Sequence, residues 1–171
     1  MTDFTKFIRD IPDFPEPGIV FKDITPLLNN SIAFRDAIHA MASNYQPAGV
    51  DVVVGIDARG FILGGALAFQ LGVSFVPIRK KGKLPFDTFE ADYDLEYGTD
   101  TLTIHQDAFP ARSRVLICDD VIATGGTIAA SIELVEKLEG RVIGIPVLIE
   151  LTFLNGREKF SDYNIFSLIE F

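Results

Sequence analysis

Two adjacent carboxylates followed by a loop of small residues form the clearest chemical pattern in the sequence. Asp119 and Asp120 come directly after the apolar run 115–118, so they mark the end of a predicted buried strand, and the loop 123–127 reads Ala-Thr-Gly-Gly-Thr. Backbone N–H groups can converge on an anion where such a loop begins a helix, because the helix dipole favours negative charge there. Two carboxylates can accept hydrogen bonds from the vicinal hydroxyls of a ribose. The pattern predicts a site for a sugar monophosphate.

The same loop lacks the residues of a nucleoside triphosphate site. Gly125 and Gly126 allow the backbone to approach a phosphate closely, and Thr124 and Thr127 add hydroxyl donors. No Lys-Ser or Lys-Thr pair follows the glycines, which argues against a Walker-type loop. The alternative interpretation is that the acids form a solvated strand end and that the loop is an ordinary turn.

A second loop repeats the strand, loop and helix arrangement. It joins a predicted strand at 51–56 to a predicted helix that begins at Phe61. Two anion sites of this kind indicate a ligand with two phosphate groups, whereas a structural ion pair between Asp57 and Arg59 is the alternative. The residues of this second loop are Asp57, Ala58, Arg59 and Gly60.

The densest basic run of the chain, 79–83, follows a third predicted strand at 73–78. The whole chain has a formal net charge of −9, so this local reversal of charge is informative. Lys80 and Lys83 are candidates for binding a diphosphate, although a basic run is often only a solvated surface. The acidity of the chain argues against binding to nucleic acid or to an anionic membrane.

Apolar periodicity places strands and helices alternately along the chain, which predicts an α/β fold with an open parallel sheet flanked by helices. Ligand sites are expected at the carboxyl ends of the strands. The first predicted helix has Thr2 as its N-cap, and the proline-rich stretch 11–26 is predicted to be extended, as a fixed wall or a stiff connector. Strands are predicted at 51–56, 73–78, 99–104, 115–118, 141–149 and 165–171, and helices at 2–11, 31–45, 61–70 and 128–138.

The overall composition suits one domain with a single core, since the chain has 171 residues and is 48% hydrophobic. Its single cysteine, Cys118, excludes an intrachain disulfide and lies in a predicted buried strand, where we expect only a packing role. The sequence shows neither a signal-peptide pattern nor an apolar run of the roughly 18 residues that a membrane span needs. We therefore expect a cytoplasmic protein.

The segment 114–127 resembles the 5-phosphoribosyl 1-diphosphate motif of the type I phosphoribosyltransferase family. The resemblance implies that the loop 57–60 binds the diphosphate, with Arg59 also contacting the base. The sequence Arg-Lys-x-Gly-Lys-Leu-Pro at 79–85 recurs in the family at the diphosphate site, which implies the same role for its lysines. For the phosphoribosyl group, the resemblance implies that Asp119 and Asp120 face the ribose hydroxyls and that Ala123, Thr124, Gly125, Gly126 and Thr127 wrap the 5-phosphate.

The segment from Ile11 to Leu28 resembles the N-terminal part of the adenine-specific members of this family. There, an aromatic ring at the position of Phe21 covers the base, and the backbone amide and carbonyl at the position of Val20 read its edge. Lys22 stands where the family often has Arg, which keeps the charge and loses a bidentate contact. Leu151 matches the second residue that stacks on the base.

The segment 84–98 is rich in acidic, Thr and Tyr residues without a helical period, and we predict that it is a mobile flap. Its sequence Tyr-Asp-Leu-Glu-Tyr-Gly is similar to the long active-site loop of the family. Glu96 matches the proposed proton-transferring carboxylate, so Glu96 and Arg59 are the catalytic candidates, and Tyr97 is a further flap residue. His105 is either an anchor of the flap or a surface residue.

The resemblance implies an enzyme of purine salvage that converts adenine and 5-phosphoribosyl 1-diphosphate to AMP and diphosphate. Mg²⁺ would be required and held mainly by substrate oxygens and water, so no protein ligand is assigned. Ala123 stands where members acting on 6-oxopurines typically have Asp, which also favours adenine. The family forms homodimers, and its fold implies a single domain at 1–171, with a core at about 31–150 and a small hood mainly from 1–30 with C-terminal contributions.

A function from another class is also considered. A regulatory module could bind the same donor or a purine nucleotide without catalysis. Such a protein would need a DNA-binding or partner domain, and this chain has neither residues to spare for one nor a basic face.

Overall fold

Strands and helices alternate along most of the chain, in a computed structural model that describes residues 2–94 and 99–171. The helices are α1 (Thr25–Leu28), α2 (Ser31–Ser43), α3 (Arg59–Leu71) and α4 (Gly126–Lys137), with 3₁₀ turns at Phe4–Phe7, Gln46–Ala48, Thr152–Leu154 and Gly156–Phe160. The strands are β1 (Arg9–Pro12), β2 (Val20–Asp23), β3 (Val52–Ile56), β4 (Ser74–Lys80), β5 (Thr88–Asp94), β6 (Thr99–His105), β7 (Arg114–Ile122), β8 (Arg141–Glu150) and β9 (Ile165–Glu170).

Seven of these strands form one sheet in the order β5-β6-β4-β3-β7-β8-β9. The neighbours from β4 to β9 are parallel, whereas β6 pairs antiparallel with both β4 and β5. The predicted open parallel α/β sheet is confirmed, with an antiparallel hairpin added at one edge. β3 and β7 are adjacent in the sheet, and the chain continues from β3 to β4 on one side of this pair and from β7 to β8 on the other. Ligands of open α/β sheets bind at such a switch point.

The core lies on both faces of the sheet, because the central strands are apolar along their length. All of β3 is buried, and its side chains alternate between the two faces. Val52 and Val54 pack with residues of α4, whereas Val53 packs with residues of α2 and α3. Cys118 is buried on the same side as Val53, as the sequence predicted. None of the helices in the described ranges combines the length and apolar character that crossing a bilayer requires.

The N-terminal segment differs from the predicted helix at 2–11. A 3₁₀ turn ends at Phe7, and Asp3 rather than Thr2 caps it by accepting a hydrogen bond from the Thr5 N–H group. The strand β1 follows, and Ile11 lies opposite Phe21 in an antiparallel pair with β2. The apolar residues at 8 and 11 matched a helical period, but pairing with the extended segment decided their conformation. Within the stretch 11–26, Val20–Asp23 is extended as predicted, but Thr25 and Pro26 begin α1, because proline is tolerated in the first turn of a helix.

About half of the predicted flap is a regular strand. β5 pairs with β6 over its whole length, from Thr88 opposite His105 to Asp94 opposite Thr99. Ala91 and Tyr93 are buried in the core, so this strand has a period of two that the acidic composition concealed. Glu96 and Tyr97 lie outside the described residues.

The helix α3 packs very closely on the central strands. A Cβ atom at Gly60 would lie 2.9 Å from Asp119 Oδ1 and 3.0 Å from the Cys118 carbonyl oxygen, both of which belong to β7. A Cβ atom at Gly65, one turn later on the outer side, would meet no heavy atom within 4 Å. Glycine at position 60 therefore lets the first turn of α3 approach β7.

We predict that Gly60→Ala lowers the free energy of unfolding by about 1–3 kcal/mol, the usual cost of overpacking. The matched variant Gly65→Ala should instead raise it by up to about 1 kcal/mol, because alanine has the higher helix propensity. Urea denaturation followed by circular dichroism measures both values. A stabilising effect of Gly60→Ala equal to that of Gly65→Ala would contradict the close packing.

Candidate active site

A cavity of about 490 Å³ opens at the carboxyl ends of β3 and β7. It brings together most of the residues that the sequence analysis assigned to a site. Ile19, Ile56 and Val121 also line it, and no sequence pattern marks them as site residues, because apolar residues of this kind occur throughout the core. The predicted residues that line the cavity are Val20, Phe21, Lys22, Asp57, Ala58, Arg59, Asp119, Asp120, Ala123, Thr127 and Leu151.

The two acids lie inside β7, whereas the sequence placed them at its end. The strand continues to Ile122 because Val121 and Ile122 lie in register with Ile149 and Glu150 of β8. Asp119 is 8% exposed and Asp120 is 5% exposed, so the alternative interpretation, a solvated strand end, is wrong. The side chain of Asp119 accepts a hydrogen bond of 2.8 Å from the Asp120 N–H group.

Burial changes the acidity of this pair. It raises the pKa of Asp119 well above its usual range, and the nearby charge of Asp120 raises it further. Burial also raises the pKa of Asp120, although the Arg59 guanidinium opposes the rise. Two partly desolvated carboxylates are strong acceptors for ligand hydroxyl groups, which would replace the water that they have lost.

Arg59 connects two walls of the cavity. Its Nε atom lies 2.8 Å from Asp120 Oδ2, and its guanidinium lies 4.7 Å from the centroid of the Phe21 ring. The N–H group is not aimed at the carboxylate, so Asp120 Oδ2 accepts no hydrogen bond from the described residues. That buried oxygen therefore keeps its capacity to accept a bond from a ligand.

The alternative of an ion pair between Asp57 and Arg59 is wrong. Asp57 Oδ2 instead lies 3.1 Å from Nε of Arg79, which is the last residue but one of β4. Arg59 is left to pair with Asp120 across the sheet edge. The peptide bond between Asp57 and Ala58 is cis.

The apolar wall comes from β2 and from the residue after β8. Phe21 packs edge-on against Phe14, with ring centroids 5.2 Å apart, and Val20 is 47% exposed. Leu151 is placed by a hydrogen bond from its N–H group to the Ile122 carbonyl oxygen, at 2.9 Å. A flat, apolar ligand group would fit between these side chains.

Lys22 joins this wall to the end of the chain. Its Nζ atom lies 2.7 Å from Asp10 Oδ1 and 3.8 Å from the centroid of the Phe171 ring. Its charge is therefore partly neutralised within the protein, and it holds β2 against the C-terminal residues. The N–H group of Thr152 bonds to the Phe171 carbonyl oxygen, which fixes the same region from the other side.

Most of the basic run at the end of β4 is paired with carboxylates. Lys80 Nζ lies 2.8 Å from Asp100 Oδ2, and this partner raises the pKa of Lys80. Lys81 Nζ lies 2.7 Å from Glu90 Oε2. Lys80 and Lys83 do not line the cavity, and the acidic partner on β6, Asp100, is distant in the sequence and has no local sequence signal.

The loop between β7 and α4 turns sharply at its centre. Gly125 has a φ of +81°, which is a left-handed conformation that favours glycine, and α4 begins at the next residue, Gly126. Of this loop, only Ala123 and Thr127 line the cavity. Thr124, Gly125 and Gly126 shape the turn of the backbone that connects them. The start of a twelve-residue helix at this point provides N–H groups without partners in the helix.

The other predicted residues have these positions. Gly60 is buried against Asp119, and His105 packs edge-on against Phe86 with ring centroids 6.2 Å apart. In the part of the chain that the structure describes, no group of three or more His, Cys, Asp or Glu side chains is placed to hold a metal ion.

Known proteins are similar to this chain over almost its whole length. The phosphoribosyl transferase domain family matches residues 23–171. The adenine phosphoribosyltransferase of Roseiflexus sp. (strain RS-1) is 52% identical over 170 residues, which are 99% of each chain. The crystal structure of the Thermoanaerobacter pseudethanolicus adenine phosphoribosyltransferase superposes with a TM-score of 0.96 at 52% identity, covering 99% of this chain and 98% of that one.

A Saccharomyces cerevisiae adenine phosphoribosyltransferase, solved with adenine and an imino-altritol bisphosphate, superposes with a TM-score of 0.93. Its identity is 42%, and the match covers 97% of this chain and 96% of that chain. The similarity therefore extends over the whole fold and includes every element that lines the cavity.

We predict that Asp119→Asn stabilises the protein at neutral pH. Because the pKa of Asp119 is raised, the folded state holds its proton more tightly than the unfolded state, so wild-type stability falls as pH rises above about 3.9. Asparagine keeps the carbonyl acceptor without the charge. Each kcal/mol gained should raise Tm by about 2–4 °C, and the gain should shrink as the pH is lowered to about 4.

Thermal denaturation of both proteins between pH 4 and pH 8 measures this difference. Asp107→Asn is the control, because Asp107 is exposed and its substitution changes the net charge equally. If Asp119→Asn gains no more than the control at pH 7.5, the buried carboxylate does not carry the expected cost.

Proposed function

The chain belongs to the phosphoribosyltransferase family, among its adenine phosphoribosyltransferases, and we propose that the cavity at the ends of β3 and β7 is its active site. The enzyme transfers the 5-phosphoribosyl group of 5-phosphoribosyl 1-diphosphate to adenine and releases AMP and diphosphate, a reaction of purine salvage. The position of Arg59 carries the proposal. It lies between the aromatic ring of Phe21 and the buried carboxylate of Asp120, where a base and a ribose would meet.

The ribose is proposed to bind at the acid pair. Asp119 and Asp120 are buried, and Asp120 Oδ2 accepts no hydrogen bond from the described residues, so vicinal hydroxyls can supply the missing donors. The ribose gains cationic character as its C1–O bond breaks, and two carboxylates tolerate this charge. The 5-phosphate is assigned to the loop 123–127, where α4 begins.

Adenine is proposed to lie between Phe21 and Leu151, beside Arg59. Both walls are fixed by the backbone bonds of β2 and of Leu151, so the slot is formed without the ligand. The backbone amide and carbonyl of Val20 would pair with the edge of the base. Lys22 supports the slot through its contacts with Asp10 and Phe171, so its role at the base is positioning.

The diphosphate is assigned to the loop 57–60, to Lys80 at the end of β4 and to Lys83 after it. Ala58 and Arg59 line the cavity at the start of α3, and the N–H groups of a helix start suit an anion. As the leaving diphosphate gains negative charge, Arg59, Lys80 and Lys83 would stabilise it. Lys80 does not line the cavity, so its Nζ atom would exchange Asp100 for a phosphate oxygen.

The residues present fit Mg²⁺ bound through the substrate. Mg²⁺ prefers oxygen ligands and retains water, and the acid pair offers carboxylate oxygens for such waters. The described residues form no cluster of three acidic ligands, so most ligands would come from the donor itself. When bound, the ion would neutralise charge on the diphosphate. The chain's own contribution is to hold Asp119 and Asp120 in place.

Several assignments stay predictions. We propose that Glu96 transfers the proton of the base and that Tyr97 belongs to the flap, and both lie outside the described residues. The division into a hood at 1–30 and a core at 31–150 is also proposed, and it is supported by the separate two-stranded sheet of β1 and β2. The homodimer and the cytoplasmic location remain predictions from the sequence and its resemblance.

We predict that kcat/KM with adenine exceeds that with hypoxanthine or guanine by at least about 10³-fold. Adenine offers an amine donor beside an N1 acceptor, which match the carbonyl and amide of Val20. Hypoxanthine presents the reversed pattern and leaves buried groups unpaired, at about 1–3 kcal/mol each. Initial rates of nucleotide formation on one preparation measure the ratio, and comparable rates would overturn the base assignment.

The same assay separates the enzyme from a regulatory module. A module would bind 5-phosphoribosyl 1-diphosphate without forming AMP. Absence of AMP formation from a folded protein that binds the donor in a calorimeter would overturn the proposed function.

We predict that Asp100→Asn tightens the binding of diphosphate about 1.5- to 5-fold. The variant removes the carboxylate that Lys80 must leave, and an exposed ion pair is worth about 0.2–1 kcal/mol. Isothermal titration calorimetry with diphosphate and Mg²⁺ measures the change. Glu90→Gln, which frees Lys81 instead, is the matched control and should have no effect. Weaker binding by Asp100→Asn would contradict the exchange of partners.

A further inference from the structure

A short turn packs directly against the loop 123–127. This 3₁₀ turn, Gly156–Phe160, follows β8, and Gly156 is buried. A Cβ atom at Gly156 would lie 2.2 Å from the Ala123 carbonyl oxygen, whereas ordinary contacts begin at 3.4 Å. It would also lie 3.0 Å from the Gly125 nitrogen. The two backbones therefore touch, with no room for a side chain between them.

The contact is reciprocal. A Cβ atom at Gly125 would lie 2.8 Å from the Gly156 carbonyl oxygen and 2.8 Å from the ring of Phe160, which is 3% exposed. Gly125 has a left-handed φ, but Gly156 does not. Close approach, rather than backbone conformation, is what requires glycine at position 156.

The turn is itself anchored to the sheet. Arg157 donates from Nε to Glu150 Oε1 at 2.8 Å and from Nη2 to Glu150 Oε2, so the ion pair is bidentate. Ser167 of β9 donates to the same carboxylate and accepts a bond of 3.1 Å from Arg157 Nη2. Glu150 is 5% exposed, at the end of β8. Two strands of the central sheet therefore hold the turn in position.

We propose that the turn Gly156–Phe160 sets the shape of the loop that binds the 5-phosphate, with Gly156 as a positioning residue for the phosphoribosyl group. The proposal rests on the proposed function of that loop. An anion cradle depends on the directions of several N–H groups, and a misplacement of about 1 Å in a site can cost up to about 100-fold. The loop backbone at Gly125 lies between the turn on one side and the start of α4 on the other.

The test compares two ligands that occupy different parts of the site. Gly156→Ala should raise the Kd of ribose 5-phosphate by about 10- to 100-fold, because the loop must move to admit the new methyl group. The Kd of diphosphate with Mg²⁺ should change less than about twofold, since diphosphate is assigned to the loop 57–60 and not to the loop that the turn contacts. In the reaction, KM for 5-phosphoribosyl 1-diphosphate should rise far more than kcat falls.

Glu158→Ala is the matched control, because Glu158 belongs to the same turn and is exposed. It should leave both dissociation constants unchanged. General destabilisation by Gly156→Ala would lower Tm without changing the ratio of the two dissociation constants. Unchanged binding of ribose 5-phosphate by folded Gly156→Ala would therefore overturn the proposal.

Two further variants keep the result decisive. If Gly156→Ala does not fold, Phe160→Leu is the substitute, because it removes the ring beside Gly125. It should selectively weaken the binding of ribose 5-phosphate, and unchanged binding would overturn the proposal. Thr127→Val tests the loop itself. If Thr127→Val loses binding and Gly156→Ala does not, the role of the turn is rejected and the phosphate assignment of the loop stands. Unchanged binding in Thr127→Val would reject the phosphate assignment and with it both proposals.

Discussion

The burial of two neighbouring carboxylates in the central strand is the constraint on which the site depends. Asp119 and Asp120 lie in β7 between parallel neighbours, where little of either side chain is exposed to water. Such groups are stable only if donors or positive charge reach them. The protein supplies one charge through Arg59 and one backbone N–H group, and Asp120 Oδ2 accepts no hydrogen bond from the described residues. The hydroxyl groups of a ribose would supply the missing hydrogen-bond donors.

Close backbone approach makes this arrangement possible. Gly60 lets the first turn of α3 reach β7, so Arg59 lies over the acid pair. Gly125 and Gly156 bring the loop after β7 against a turn that the sheet edge holds. Both loops of the site are thus supported by packed backbone rather than by long side chains. Rigid support of this kind places N–H groups before a ligand arrives, which reduces the entropy lost on binding.

Basic side chains near the site form ion pairs with carboxylates of the protein itself. The protein is acidic overall, yet its proposed site must hold an anionic donor, and several cations near that site already have carboxylate partners. Arg79 pairs with Asp57 and Lys80 with Asp100. Since exposed pairs are worth about 1 kcal/mol or less, a phosphate can replace a carboxylate at little cost. The protein therefore avoids a permanently exposed basic patch.

The order of strand, loop and helix around both anion loops could be predicted from the sequence, because apolar period and small-residue loops are local properties. Tertiary structure decided the partners: Arg59 pairs with Asp120 rather than Asp57, since the sheet order places β3 beside β7. It also extended β7 past the acids and converted the predicted N-terminal helix into β1. The contact of Gly156 with Ala123 has no local signature, since it joins backbones that only the packed sheet brings together.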